Sequence, residues 1–287
     1  MLFYLEVFLA KQVAVITGAA SGIGFALSEV CLQQDMHLVM ADKSEALLHE
    51  KAASLSAQTD NTVLSIVCDV TDSLSVQQLA LQTYAHFHRV DWLFNNAGIS
   101  GRMAPVWELS AQDIRDVMEV NLYGVIHGLQ AFLPLMIQQT HRSHVINMAS
   151  VYGLCSGSQM AAYAMSKHAL IALSESLYFD LQRLEKPVDV SVACPSFVST
   201  GLLDNSASAN TTPLQQVMSH LIERSRPAMD VALHIVQEIK QNRFYILPDK
   251  EVKNYCEQRT NAIIEQTAPH AHSLEKLLVS LSKRSSR

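Results

Sequence analysis

The chain has 287 residues, 49% of them hydrophobic and only 17% charged, with ten glycines, eight prolines and a net charge of −6. That length supports one large buried core, and the composition excludes disordered, collagen-like and low-complexity classes. The one basic cluster is the terminal Lys283, Arg284 and Arg287, so the chain offers no positive field for a polyphosphate and nucleic acid is not an expected partner.

The opening MLFYLEVFLA is apolar, but Glu6 interrupts it, no Lys or Arg precedes it, and a strand-like run follows directly. Residues 1–10 therefore read as an N-terminal extension rather than a signal peptide. No stretch reaches the ~18 uninterrupted apolar residues of a membrane span, so no membrane partner is expected. Cys31, Cys68, Cys155, Cys194 and Cys256 are odd in number, widely spaced and free of CxxC pairs, which fits a reducing compartment, and a cytoplasmic location is expected.

Short apolar, β-branched runs recur along the chain: VAVIT (13–17), HLVMA (37–41), VLSIVCD (63–69), WLFN (92–95), HVINMA (144–149), VSVAC (190–194) and FYIL (244–247). Helical i, i+3, i+4 spacing fills 24–34, 73–87, 114–138, 161–184 and 231–241. Strands alternating with helices predict an α/β fold with a doubly wound, Rossmann-like parallel sheet of about seven strands, covered by helices on both faces. No repeat or linker divides residues 11–248, which read as one domain. Within it, 202–226 is a candidate substrate lid opening with the small-residue loop LLDNSASANTTP (202–213), and 249–287 reads as a tail that is helical in two pieces.

The first strand runs into GAASGIG, placing Gly18, Gly22 and Gly24 around Ser21 and ahead of a helix that begins near Ile23. Glycines serve a tight turn and let backbone approach a pyrophosphate, and the helix N-terminus then presents N–H groups to the anion. Asp42 follows the second strand about twenty residues later, where a carboxylate accepts hydrogen bonds from the adenosine ribose hydroxyls. A 2′-phosphate there would meet like charge, which favours NAD over NADP, although Lys43 beside it would help tolerate the phosphate.

TGAASGIG (17–24), NNAG (95–98), Ser150 and YAMSK (163–167) occur in this order and spacing. Together they resemble the short-chain dehydrogenase/reductase family in its common single-domain form, over residues 11 to about 248. The resemblance implies an NAD(P)-dependent alcohol dehydrogenase or ketone reductase. In it Tyr163 is the general acid/base and Lys167, four residues on and on the same helix face, lowers the phenol pKa and holds the nicotinamide ribose. Ser150 polarises the substrate oxygen, and Asn121, in VNLYG, supports a proton relay. It further implies that Asp69 and Val70 bracket the adenine, that Asn95 and Gly98 flank the adenosine ribose, and that Val198 and Thr200 clasp the nicotinamide carboxamide. One departure stands out: the family's Pro-Gly is here Pro195-Ser196, and serine lacks glycine's freedom at positive φ.

The candidate substrate wall is mostly apolar, with Met103, Leu154, Cys155, Phe197, Leu202, Leu203 and Met218, which suits a hydrophobic secondary alcohol or ketone. Arg102 would instead suit a carboxylate. The histidines of HFH (86–88), HRSH (141–144) and HAH (270–272) lack ligand-spaced partners, so no metal is expected. The apolar character of 161–184 and 114–138 on several faces predicts a homodimer or homotetramer. Alternatives from the same residues are an NADP-dependent carbonyl reductase and a catalytically idle NAD(H) sensor.

Overall fold

The structure, a computed structural model, describes residues 11–202, 213–269, 271, 275–277 and 279–280. Residues 1–10, most of the small-residue loop and part of the tail, with Leu203 and His270, lie outside the described residues.

The run VAVIT forms β1 (Val13–Thr17), buried at every position, as an uninterrupted apolar run requires of a strand covered on both faces. After it come α1 (Gly22–Gln33), β2 (His37–Asp42), α2 (Glu45–Ser56), β3 (Val63–Val67), α3 (Ser73–Phe87) and β4 (Trp92–Asn95). Then follow α4 (Ala111–Met118), α5 (Gly124–Met136), β5 (Ser143–Met148), α6 (Ala161–Arg183) and β6 (Val188–Ala193). The chain continues through β7 (Val198–Ser199), α7 (Pro213–Glu223), β8 (Arg226–Pro227), α8 (Ala228–Ile239), β9 (Tyr245–Ile246) and α9 (Glu251–Ile264).

Seven strands form one sheet in the order β3-β2-β1-β4-β5-β6-β9, with every pair parallel. The fold is thus the expected doubly wound α/β sheet. Alternate strand residues feed opposite layers. Val13, Val15, Val39, Leu93, Val145 and Val190 meet α3, α5 and α6, while Ala14, Ile16, Leu38, Met40, Phe94 and Ile146 meet α1, α2 and α8. Strand order reverses between β1 and β4, and the crevice at that point, at the strands' C-terminal ends, is where such a sheet holds a ligand.

The structure departs from the sequence expectations in three places. Helix α1 begins at Gly22 and ends at Gln33, and α8 spans Ala228–Ile239 rather than 231–241. No helix is expected between the second and third strands, yet α2 stands there with Leu48, Ala52 and Leu55 buried at helical spacing. The segment 114–138 is not one helix: a π-helical turn at Glu119–Tyr123 separates α4 from α5, where the Asn121 side chain is drawn to the main chain of Ile99. The tail, read from the sequence as helical in two pieces, does not depart in this way: it holds α9 and, among the described residues beyond it, helical residues at 275–277 and 279–280.

Among the described residues, no helix is long and apolar enough to cross a membrane, and no group of three or more His, Cys, Asp or Glu is arranged to hold a metal ion.

Candidate active site

A cleft of about 500 Å³ runs along the C-terminal ends of the strands, within the range of small-molecule and cofactor sites. Gly18, Ser21, Gly22, Ile23 and Gly24 line one side of it, and Asp42, Lys43, Asp69 and Val70 line its far end. Gly18 has φ +65° and Gly22 φ +53°, a region that residues with a Cβ rarely enter. A Cβ on Gly24 would lie 2.1 Å from the Gly18 carbonyl oxygen, so this turn closes only without one. Ser21 is the N-cap of α1 but makes no side-chain cap bond, and the first turn carries no acidic residue. The leading N–H groups therefore stay available to an anion in the cleft.

Asp42 ties this loop to β2. Its Oδ2 accepts from Ala20 N at 3.1 Å and its Oδ1 from Ser44 N at 3.0 Å. The Asp69 carboxylate turns back on its own loop, accepting from Thr71 N at 2.9 Å and Thr71 Oγ1 at 2.8 Å.

Of the NNAG run, Gly98 lines the cleft and Asn95 does not. Asn95 is buried and donates from Nδ2 to Asn147 Oδ1 at 2.9 Å, because the last residue of β4 still points into the helix layer. The next residue, Asn96, lines the cleft and binds Thr17 through both its main-chain N and its Nδ2. It braces the glycine loop, a role the doubled asparagine signals without telling which of the pair carries it.

Ser150, Tyr163 and Lys167 line the other end of the cleft. Strand β5 delivers Ser150 at its end, and α6 carries the other two on one face. Lys167 Nζ donates to Met148 O at 2.8 Å and lies 5.6 Å from the centre of the Tyr163 ring. Burial pulls the Lys167 pKa down to about 8. Burial also pushes Tyr163 above its ordinary value of 10, opposed by a hydrogen bond with Ser150. Desolvation is the largest influence on both groups, and it favours their neutral forms.

Asn121 is buried in the π-helical turn. Its Oδ1 accepts from Ile99 N at 2.8 Å, and its Nδ2 donates to Ile99 O at 2.9 Å and Ser166 Oγ at 3.1 Å. The carboxamide is thus engaged by the scaffold, and Ser166, between Tyr163 and Lys167 in sequence, is a partner the motif pattern does not single out.

Val198, Thr200, Phe197, Leu202 and Met218 line the cleft as expected, joined by Met160 and Ile222. Leu154 and Cys155 do not; Cys155 is buried with Sγ 3.4 Å from Val151 O, because the 3-10 turn Val151–Gly153 carries the chain away from the cleft wall. Met103 is likewise packed in the apolar cluster behind Tyr163. Arg102 is spent on its own loop, donating to Glu108 O at 2.8 Å with Asp113 at 3.5 Å. Ser196 is not among the residues at positive φ, so the serine sits in place of the family's glycine without that conformation.

Residues 12–211 match the family described as short chain dehydrogenase, and the chain belongs to the short-chain dehydrogenase/reductase family of oxidoreductases. It is 32% identical to the CLA biosynthesis dehydrogenase/reductase of Lactiplantibacillus plantarum, covering 93% of this chain and 98% of that one. It is 37% identical to the 1-deoxy-11-beta-hydroxypentalenate dehydrogenase of Streptomyces avermitilis over 71% of this chain and 77% of that one. A short-chain dehydrogenase/reductase from Burkholderia phymatum, solved in complex with NAD, superposes with a TM-score of 0.87 at 35% identity, covering 91% of this chain and 97% of that one. The dinucleotide bound by this family fits the residues present: a turn closed to any Cβ, an uncapped helix N-terminus and a carboxylate at the end of β2.

Proposed function

We propose that this protein oxidises a hydrophobic secondary alcohol, or reduces the matching ketone, with NAD(H) as cofactor and Tyr163 as general acid/base. The reading is carried by one continuous cleft that has the glycine loop and Asp42 at one end and Ser150, Tyr163 and Lys167 at the other.

When bound, the nicotinamide supplies the carbon that accepts or gives hydride. In oxidation, Tyr163 takes the proton from the carbinol oxygen; in reduction, it returns a proton to the carbonyl oxygen. Ser150 hydrogen-bonds the same oxygen and stabilises its negative charge. Lys167, with a pKa of about 8, is mostly protonated at neutral pH and supports the phenolate and the nicotinamide ribose. Met160, Phe197, Met218 and Ile222 make the substrate end apolar and exclude water. Comparing cofactor reduction with NAD and NADP across secondary alcohols of increasing apolar size tests the reading. Turnover confined to charged or phosphorylated alcohols would overturn the substrate class.

Asp42 is the discriminator between the two cofactors in this reading, with Lys43 favouring the phosphorylated one. Asp42→Ala is expected to strengthen NADP(H) binding by about tenfold or more and to weaken NAD(H), because a like-charge contact is removed along with a ribose acceptor. Dissociation constants from cofactor fluorescence would show this, and unchanged preference would refute the role.

The protein acts as a homodimer or homotetramer in this reading, since α6 leaves Met165, Tyr178 and Phe179 exposed. Light scattering at micromolar concentration is expected to give two or four times the chain mass; a monomer would overturn it.

A further inference from the structure

The segment 195–202 forms one wall of the cleft and is tied at both ends. Val151 N donates to Pro195 O at 2.8 Å, joining the wall to the turn that carries Ser150. At the other end, a Cβ on Gly22 would meet Thr200 Cγ2 at 3.1 Å, so the wall reaches the glycine loop. It therefore flanks the stretch from the Tyr163 end to the phosphate turn and leaves the Asp42 end alone.

Between these points the wall is held from outside the domain's motif-bearing part. Ser196 N donates to Asp249 Oδ2 at 2.8 Å. Arg226 Nη1 donates to Asp249 Oδ1 at 3.3 Å and to Pro248 O at 2.7 Å. Arg226 also pairs in register with Val198 in the two-stranded β7–β8 sheet. Ser196, Asp249, Arg226 and Val198 thus close a ring around the wall. The Asp249 side chain is only 6% exposed, and a carboxylate that buried is retained because both oxygens are bonded. Asp249 sits at the entry to α9, whose Val252 and Tyr255 pack in one apolar cluster with Tyr152, Tyr163 and Met218.

We propose that Asp249 is a positioning residue for the reaction: through Ser196 N it holds residues 196–198 against the nicotinamide half of the dinucleotide, and so makes the start of the C-terminal tail part of the active site. The proposal rests on the reading that the cleft takes a nicotinamide dinucleotide. It accounts for the serine after Pro195: the N–H at that position is directed by a distant carboxylate instead of by a glycine conformation.

The test uses the full chain with Asp249→Ala, Asp249→Asn and Arg226→Ala, and measures Kd for NADH and for ADP together with kcat on an alcohol that turns over. Asp249→Ala is expected to raise Kd for NADH about tenfold and to lower kcat about tenfold to a hundredfold, since small misplacements of a reacting centre are that damaging. Kd for ADP should rise by no more than about threefold, because ADP lacks the nicotinamide half that residues 196–198 would face and meets the wall only where Thr200 reaches the glycine loop. Asp249→Asn keeps an oxygen that accepts from Ser196 N and is expected to retain NADH affinity within about threefold. Arg226→Ala should fall between the two, and with Asp249→Asn it carries the test if the alanine variant does not fold. Equal changes in ADP and NADH affinity, or none in either, would overturn the positioning role. Failure of the unsubstituted protein to bind NADH would instead overturn the cofactor reading itself, and this proposal with it.

Discussion

Replacing Tyr163 with phenylalanine is expected to lower kcat by about a thousandfold, the usual contribution of a positioned acid/base, while Kd for NADH and Tm stay near those of the unsubstituted protein. The ring is what packs: it meets Tyr152 edge to face at 6.1 Å between centroids, and phenylalanine keeps that contact. The lost hydroxyl takes its hydrogen bond with Ser150 away, but Ser150 keeps its bond from Tyr152 N at 3.2 Å and lines the cleft, where water can meet its hydroxyl, so the cost to stability is small. A stopped reaction in a stably folded protein that still binds NADH is therefore the expected signature. More than about a tenth of the original kcat would move proton transfer to another group.

The same residue sets the pH dependence. Burial holds the Tyr163 phenol above its ordinary pKa of 10. Alcohol oxidation needs the phenolate, so its rate should climb with pH through the neutral and mildly alkaline range. Ketone reduction needs the phenol and should stay flat there, falling only as the raised pKa is approached. Lys167, with its pKa of about 8, loses its charge within that range, 5.6 Å from the ring centre. The oxidation profile should accordingly rise less steeply above about pH 8 than a lone phenol would give. Rate profiles in both directions would show this, and an oxidation rate independent of pH would refute the assignment of Tyr163.

Gly24→Ala is expected to have the second large effect, a loss of about a hundredfold or more in NADH affinity with Tm lowered by several degrees. The added Cβ would fall 2.1 Å from Gly18 O, 2.5 Å from Asn96 Nδ2 and 2.8 Å from Gly18 C. Two of those neighbours belong to backbone that itself sits at φ +65°, so the turn cannot yield locally and the N–H groups proposed to meet a dinucleotide's phosphates must move. Gly22→Ala makes a useful contrast. Its Cβ would meet only the Thr200 side chain, at 3.1 Å and 3.2 Å, leaving mainly the left-handed strain of about 1 kcal/mol. Titration of NADH fluorescence with thermal melts separates the two: equal losses for both variants would count against the close packing at Gly24.

Much of this architecture was legible in the amino-acid order because it rests on local properties. VAVIT is apolar on both faces up to its closing threonine, and HVINMA puts apolar residues on both faces with only His144 and Asn147 between them, so only a doubly covered strand buries them. Gly18 and Gly24 mark a turn that no side chain enters, and the spacing of Tyr163 and Lys167 puts them on one helix face wherever that helix lies. The Leu48, Ala52, Leu55 spacing of α2 is an equally local signal, although no helix is expected there, because a 12-residue helix with only three buried positions carries a weak apolar stripe.

Other features exist only once distant segments meet. Whether Asn95 or Asn96 braces the glycine loop depends on where β4 stops being a strand, which its pairing with β1 and β5 decides. The π-helical turn at Asn121 forms around a carboxamide drawn to Ile99, and Arg102 is unavailable to a substrate because Glu108 and Asp113 fold back upon it. Cys155 is turned from the cleft by a three-residue 3-10 turn. By itself, then, the sequence determined the sheet, the glycine turn and the placing of Tyr163 and Lys167 on one helix face, because periodicity, glycine conformation and helix spacing act over a few residues. Tertiary structure alone decided which side chains face the cleft and that Asp249 grips Ser196, because those contacts depend on the ends of strands such as β6 and β9 brought side by side by the sheet, and no local pattern records them.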